Sequence, residues 1–316
     1  MTERDAERSV SAPLSPQQEI IAGLNSAAAF ISPKYFYDQL GSQLFEAITR
    51  LPEYYPTRTE TTLMQQHGAA IAHAVGEGAT LIEIGAGNCT KALALCRWIQ
   101  PRCFVGVDIS ADFLQDAMRG LQQELPELTT WAIAADLSAA FHLPAEVPQS
   151  KRLVFYPGSS IGNFDTQQAL DLLKRMRALM DMDGGVLIGF DLPKALEVLE
   201  AAYDDTQGVT ADFNRNVLNH VNHIIGSDFD TGQWGHVAFF NAQASRIEMH
   251  LEALEPTLVS WPGGKRSFAV AERIHTENSY KYSIDAFTGI LRAAGFGKSQ
   301  VWTDDQAWFA VIHARP

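Results

Sequence analysis

Cysteine is scarce in this 316-residue chain: Cys89, Cys96 and Cys103 are the only three. An odd count, with no leader resembling a secretion signal, points to reduced thiols in a cytoplasmic protein rather than a disulfide framework. The cysteines follow one another at seven-residue intervals, unlike the short paired spacings of zinc sites, so no metal is expected. The two histidines of HVNH, His220 and His223, have no further ligand cluster near them in sequence and read as solvated or core-edge residues. No apolar run is long enough to span a bilayer, and the opening MTERDAERSV lacks the basic and apolar regions of a signal peptide. Basic residues are also short: 24 Lys and Arg face 37 Asp and Glu, a net charge of −13. That balance repels nucleic acid and anionic membranes but leaves a small-molecule ligand open. The expectation is a monomer acting on a small molecule.

What is present is an ordinary globular mixture, 46% hydrophobic, ample for a core. Residues 1–15 read as a surface-draped arm, followed by a helix to about Ile31 with Ser15 as N-cap and Pro16 in the first turn. Short helical pieces lead through LPEYYPTRTE (51–60) to a helix over 58–75. At Ala79 the character changes. Apolar runs at 81–84, 103–110, 129–138, 152–164 and 186–192 alternate with helical patterns, which implies an α/β, doubly wound, Rossmann-like sheet. After Pro193 the rhythm breaks into helices over 194–226 and then alternating, antiparallel strands. SIDAFTGILRAAGF restores a helix, and SQVWTDDQAWFAVIHAR supplies two closing strands. The expected organisation is one unit of 58–192 with 282–316, interrupted by an inserted α+β unit of 193–281 that joins 1–57.

The first strand ends in Glu83-Ile84-Gly85-Ala86-Gly87. A Gly-x-Gly turn alone is weak evidence for a dinucleotide, and the third glycine position is Thr90. Asp108, 21 residues beyond Gly87, ends the second strand, where a carboxylate can accept both hydroxyls of a ribose. Asp136 ends the third. Three acids at consecutive strand ends beside a glycine turn favour a nucleoside site near the topological switch point. Glu-x-Gly-x-Gly resembles motif I of the S-adenosylmethionine-dependent methyltransferases, and the closing strand pair after RAAGF also favours that class.

Taken together, YFYDQLGSQLFEAITRLPEYYPTRTE, LIEIGAGNCTK, FYPGSSIGNF, AAYDD with VTADFNRN, RIEMHL and HTENS resemble the histidine Nα-methyltransferases of ergothioneine biosynthesis, from about residue 34 to the C-terminus. The resemblance implies a class I methyltransferase sheet and S-adenosyl-L-methionine as methyl donor. It implies cofactor contacts at Tyr37, Gly85, Gly87, Lys91, Asp108 and Asp136. For L-histidine it implies Tyr54, Asn163 and Tyr203 at the carboxylate, Gly158 in the adjoining loop, and Met249, Glu277 and Ser279 around the imidazole. Relatives acting on other amino acids differ in that imidazole subsite.

Judged without the resemblance, Lys91 reads as a solvated helix lysine and Tyr55 as a packing residue. Pro56 restricts the backbone beside Tyr54. Neutral phenol and amide donors can hold a carboxylate without a fully buried ion pair. No side chain reads as an assured general base, and water near the Gly158–Asn163 loop is the expected proton route. The resemblance further implies three successive transfers, giving hercynine. Competing readings are N-methylation of another amino acid such as tryptophan, a dinucleotide-dependent oxidoreductase, and a non-enzymatic cofactor sensor.

Overall fold

The computed structural model describes residues 14–136 and 142–316; most of the expected N-terminal arm, and residues 137 and 138 of the expected third strand, lie outside them. Strands β1 (Thr80–Ile84), β2 (Cys103–Asp108), β3 (Thr129–Ala134), β4 (Arg152–Tyr156), β5 (Gly185–Asp191), β11 (Lys298–Thr303) and β12 (Phe309–Arg315) form one sheet in the order β11-β12-β5-β4-β1-β2-β3. Pairings from β3 through β5 are parallel; β12 runs antiparallel to β5, and β11 antiparallel to β12. The chain reverses direction across the sheet between β1 and β4. A crevice therefore opens at their carboxyl ends, and Gly85 and Gly158 lie just beyond those ends.

Alternation along the strands divides the core between the two sheet faces. Leu81, Phe104, Leu153, Phe155 and Leu187 face helices α3 (Tyr55–Val75), α4 (Thr90–Ile99) and α5 (Ala111–Glu124). Ile82, Val105, Val154, Tyr156 and Ile188 face α6 (Thr166–Ala178) and α9 (Ile284–Ala293). Nearly every one of these positions is buried, which is why the strands read as continuous apolar runs rather than as alternating ones.

A third cluster joins residues 20–55 to residues 199–274. It packs α1 (Pro16–Asn25), α2 (Gln39–Ile48), α7 (Leu196–Ala201) and α8 (Val209–Ile225) on a three-stranded antiparallel sheet of β6 (Trp234–Asn241), β7 (Arg246–Ala253) and β10 (Arg273–Tyr280). A small hairpin, β8 (Thr257–Trp261) and β9 (Gly264–Phe268), completes it. The N-terminal segment joins this sheet directly: Ile31 donates its N–H to the His275 carbonyl at 2.9 Å, and His275 donates to that of Ala29 at 2.9 Å.

Two boundaries differ from the sequence reading for physical reasons. The helix expected at 58 begins at Tyr55, with Pro56 in its first turn, where the missing N–H costs nothing. The first helix ends at Asn25, and the residues after it carry the extended segment that pairs with His275.

Candidate active site

At the end of β1, Gly85 and Gly87 take φ of +69° and +52°, a region that L side chains rarely adopt. The N–H groups of Gly85 and Ala86 bond the Val107 carbonyl at 2.8 and 3.1 Å, folding the turn against β2. Asp108 then ties the turn down: Oδ2 accepts from Gly87 N–H at 2.9 Å and Oδ1 from Ser110 N–H at 2.9 Å. Each oxygen keeps lone-pair capacity for a further donor. A side chain on Gly85 would meet only the Tyr156 ring, at 4.0 Å, so the glycine leaves open a cradle that a Cβ would fill.

Ala135 N–H bonds the Asp108 carbonyl at 2.9 Å, which brings Asp136, two residues past β3, beside the same crevice. Asp136 there accepts from Lys34 at 2.9 Å, and Lys34 also pairs with Glu19 at 2.6 Å. Ser110 Oγ donates to the Tyr37 carbonyl at 2.8 Å, fastening the N-terminal segment to the end of β2. Tyr37 spans the two halves of the site. Burial pushes its phenol far up, and Glu277, Tyr54 and Asp108 add to the shift.

Lys91, on the first turn of α4, gives its ammonium to the buried Glu60 carboxylate of α3. Glu60 also accepts the Gly158 N–H at 3.0 Å, so one carboxylate joins motif I to the loop after β4. A Cβ at Gly189 would fall 1.9 Å from Glu60 Oε1, so glycine in mid-strand β5 makes room for this acid. Beyond β4 the loop turns through Gly158 (φ +83°) and Ser159 (φ +60°). Strain of this kind in a non-glycine residue concentrates at functional sites. Ser159 Oγ accepts the Asp191 N–H at 3.0 Å, fixing the turn to β5. The short helix Ser160–Asn163 follows and carries Asn163. Its Gly162 lies against β10, since a Cβ there would come within 2.8 Å of the Tyr280 carbonyl oxygen.

Beta-strand β10 supplies Glu277 and Ser279. The ladder with β7 shifts between His275 and Glu277, a bulge at Thr276, so that His275 pairs with His250 but Glu277 pairs with Met249. Without that extra residue, His275 and Glu277 would share a face; with it, Glu277 joins Met249 and Ser279 on the buried one. Burial raises the Glu277 carboxyl to about 7, against a lowering by Lys281. Tyr54, N-cap of α3, stands edge-on to the Tyr203 ring at 6.1 Å and to Phe45 at 6.3 Å. Burial pushes both phenols well up, which keeps them protonated hydrogen-bond donors. Tyr203 Oη lies 2.7 Å from Ser279 Oγ. Tyr54, Tyr203, Met249, Glu277 and Ser279 are all buried.

Several residues at this site went unnoticed in the sequence. Asp191, at the end of β5, is fully buried and accepts from Lys194 at 2.6 Å, Lys281 at 2.8 Å and Tyr55 at 2.5 Å. Lys194 also donates to Tyr55 Oη at 2.7 Å, so Tyr55 is part of a buried polar network and not packing alone. Lys281 was legible: it directly follows β10, and its two-residue spacing from positions 277 and 279 carries their face one step beyond the strand end. Asp191 was also legible as a fourth strand-end acid. Glu60, buried in the second turn of α3, gave no comparable signal. Glu83 is buried with Oε2 unpartnered, and burial holds its carboxyl well above the usual range.

On the opposite face of the three-stranded sheet, Glu248, His250 and His275 bring ligand-type atoms within 4.8 Å of one another. Arg246 and Asn241 already hold that carboxylate, at 2.6 and 2.9 Å. The three cysteines are buried and unpaired, and no helix among the described residues is long and apolar enough to cross a membrane.

Residues 16–316 match the profile of the family described as histidine-specific methyltransferase, SAM-dependent. The histidine N-alpha-methyltransferase of Mycolicibacterium smegmatis is 36% identical over 301 residues, covering 93% of each chain. Its namesake from Mycobacterium tuberculosis is 35% identical over 305 residues, covering 94% of each. Ergothioneine biosynthesis protein 1 of Schizosaccharomyces pombe is 28% identical over 278 residues, 82% of this chain and 35% of that one. With its glycine turn, strand-end acids and buried phenols in place, the chain belongs to the family of histidine-specific, S-adenosylmethionine-dependent methyltransferases.

Proposed function

We propose that this enzyme methylates the α-amine of L-histidine three times in succession, giving hercynine, the first step of ergothioneine biosynthesis. The observation that carries this reading is the meeting, at one crevice, of a nucleoside-type site and a buried cluster of phenols with a carboxyl group. Tyr37 links the two: its carbonyl accepts from Ser110 Oγ beside Asp108, and its ring stands edge-on to Phe45, which in turn meets Tyr54. Residues 58–192 with 282–316 hold the methyl donor, and residues 1–57 with 193–281 bind and cover the amino acid. On the same reading the protein is a cytoplasmic monomer.

The residues present fit S-adenosylmethionine: the glycine turn leaves a cradle open, and both Asp108 oxygens retain acceptor capacity for ribose hydroxyls. Tyr37, Gly85, Gly87 and Lys91 complete the cofactor set, with Asp136 at the adenine. Bound there, S-adenosylmethionine would supply an electrophilic sulfonium methyl open to in-line attack by the amine lone pair, with the sulfur leaving as a neutral thioether. The protein's part is alignment. Tyr54, Tyr203 and Asn163 hold the histidine carboxylate, Gly158 borders the amine, and Glu277, Ser279 and Met249 seat the imidazole. Well-aligned reactants gain effective molarities of about 10⁵–10⁸ M, so positioning suffices without a covalent intermediate. Burial also favours the neutral amine over the ammonium.

Incubation with S-adenosylmethionine and histidine, read by mass spectrometry, should show gains of one, two and three methyl groups. A single gain would remove the hercynine assignment. Faster turnover of tryptophan in parallel would remove histidine as substrate.

A further inference from the structure

We propose that Lys281 is a positioning residue for the substrate carboxylate, set behind the hydroxyls of Tyr203 and Ser279 and held for an anion that the protein itself does not supply. This rests on the reading above, in which Tyr203 and Ser279 line the histidine site. The Lys281 side chain is fully buried. Its ammonium has three hydrogens, and three acceptors surround it: Asp191 Oδ2 at 2.8 Å, Ser279 Oγ at 2.8 Å and Tyr203 Oη at 3.1 Å. The Tyr203 ring also lies beneath it, 4.8 Å from ring centre to nitrogen.

Charge makes the case. Asp191 is one carboxylate, yet two buried ammonium groups converge on it, Lys194 on Oδ1 and Lys281 on Oδ2. Burial lowers Lys194 only to about 8, so at neutral pH it remains mostly charged. Nearby, Lys91 and Glu60 neutralise each other. Counted over the groups bonded to Asp191, the network carries one positive charge in excess, out of water; Glu277, in electrostatic reach of Lys281 and held by burial at about 7, offsets it only in part at neutral pH. An unmatched buried charge is strongly unfavourable and is tolerated where a ligand of opposite sign completes it. A carboxylate accepting from Tyr203 would lie one phenol away from that charge.

Counting hydrogens gives the hydroxyls their roles. Tyr203 and Ser279 both accept from Lys281 and share one hydrogen bond, so one hydroxyl hydrogen is left over for a ligand. If Tyr203 gives its hydrogen to the carboxylate, Ser279 donates to Tyr203 and keeps only a lone pair for the ligand. Ser279 then accepts an imidazole N–H, and Glu277 takes the other ring nitrogen. The ammonium behind Tyr203 polarises its O–H and strengthens the bond to the carboxylate. The substrate anion thus meets neutral donors in front and a formal charge behind them.

The test is Lys281→Met in the full chain, which leaves Asp191 still paired with Lys194 and Tyr55. Histidine and histidinamide, which lacks the anionic carboxylate, are titrated calorimetrically with S-adenosylhomocysteine present. Histidine affinity should fall about 10- to 100-fold, the range for a lost bond to a charged group. Affinities for histidinamide and S-adenosylhomocysteine should hold. Equal weakening of histidine and histidinamide would reduce Lys281 to a structural residue and overturn the proposal. If the methionine variant does not fold, Lys281→Gln, which keeps an N–H donor but no charge, carries the same expectation. A wild-type protein that binds S-adenosylhomocysteine but not histidine would overturn the substrate reading itself.

Discussion

Glu277 and Met249 face each other directly across the β7–β10 ladder, on the buried side of the three-stranded sheet. Opposed side chains in an antiparallel pair lie close enough to shape one wall together. In the proposed pocket that wall is half carboxyl and half thioether. A phenyl would leave the carboxyl buried without a partner, whereas an imidazole ring nitrogen satisfies it, and Met249 limits the volume open to an indole. A site built around such a bond can reject an analogue lacking it by about 10⁴–10⁵. Glu277→Ala should therefore lose most kcat/KM for histidine while the relative rate on tryptophan or phenylalanine rises. Adding Met249→Val should widen the wall and push that ratio further. Measured kcat/KM values for the three amino acids decide the matter, and an unchanged ratio removes Glu277 as the specificity residue.

The same carboxyl should leave a pH signature on stability. Burial raises Glu277 from 4.5 to about 7 in the folded chain. The folded state then holds a proton that the unfolded state has lost between those two values. Stability from this group is fully present below pH 4.5 and declines as pH rises to about 7, in total by about 3 kcal/mol. Glu277→Gln stays neutral throughout. Its melting temperature should match wild type near pH 4.5, exceed it progressively to pH 7 and differ by a constant amount above. Parallel melting curves across that range would show that Glu277 titrates normally.

Asp108 has two tasks in the structure, tying Gly87 and Ser110 and offering acceptors at the crevice. Asp108→Ala should weaken S-adenosylhomocysteine binding by about 1.5–3 kcal/mol, the scale of a hydrogen bond to a charged group. Histidine, on the far side of the crevice, should bind nearly as before. Calorimetry showing equal losses for both ligands would place Asp108 outside the cofactor site.

Why the α/β sheet, its glycine turn and its strand-end acids could be read from sequence is clear: each rests on local pattern. Apolar runs, Gly85 and Gly87, and the positions of Asp108 and Asp136 lie within single elements. The buried charge network does not, because Asp191, Lys194, Tyr55 and Lys281 meet only when β5, α3 and the end of β10 come together. The Thr276 bulge was equally hidden. Simple alternation would have placed His275 on the Glu277 face, and only the paired register shows the shift.

Gly189 offers a check on how tightly Glu60 is held. Glu60 is fixed by Lys91 and by the Gly158 N–H, so it cannot retreat from a Cβ placed 1.9 Å from its Oε1. Gly189→Ala should cost about 1–3 kcal/mol, as overpacking of a close-packed site does. Because Glu60 also steadies Lys91 and the Gly158 loop, affinities for both S-adenosylhomocysteine and histidine should fall. Denaturant unfolding and calorimetry measure both effects. Unchanged stability would show that Glu60 moves freely.

Tyr54 and Tyr55, adjacent in sequence, should fail in opposite ways when each loses its hydroxyl. Tyr54 ends the segment before α3 with its ring against Tyr203 and Phe45, in the proposed carboxylate subsite. Tyr54→Phe keeps those ring contacts and removes only a donor to ligand. Histidine affinity should fall about tenfold, near the low end for bonds to charged groups, while the melting temperature holds. Tyr55, one residue on, turns to the other side of the helix start and donates to Asp191 at 2.5 Å while accepting from Lys194 at 2.7 Å. Tyr55→Phe leaves a buried carboxylate and a buried ammonium each short of a partner, which costs about 1–3 kcal/mol or more in stability. Its histidine affinity, measured below the melting transition, should change less than that of Tyr54→Phe. Thermal melts and histidine titrations of the two variants, run side by side, make the comparison. Should Tyr54→Phe melt early and Tyr55→Phe lose histidine instead, the carboxylate subsite lies on the Asp191 side of α3 and the assignment of Tyr54 fails.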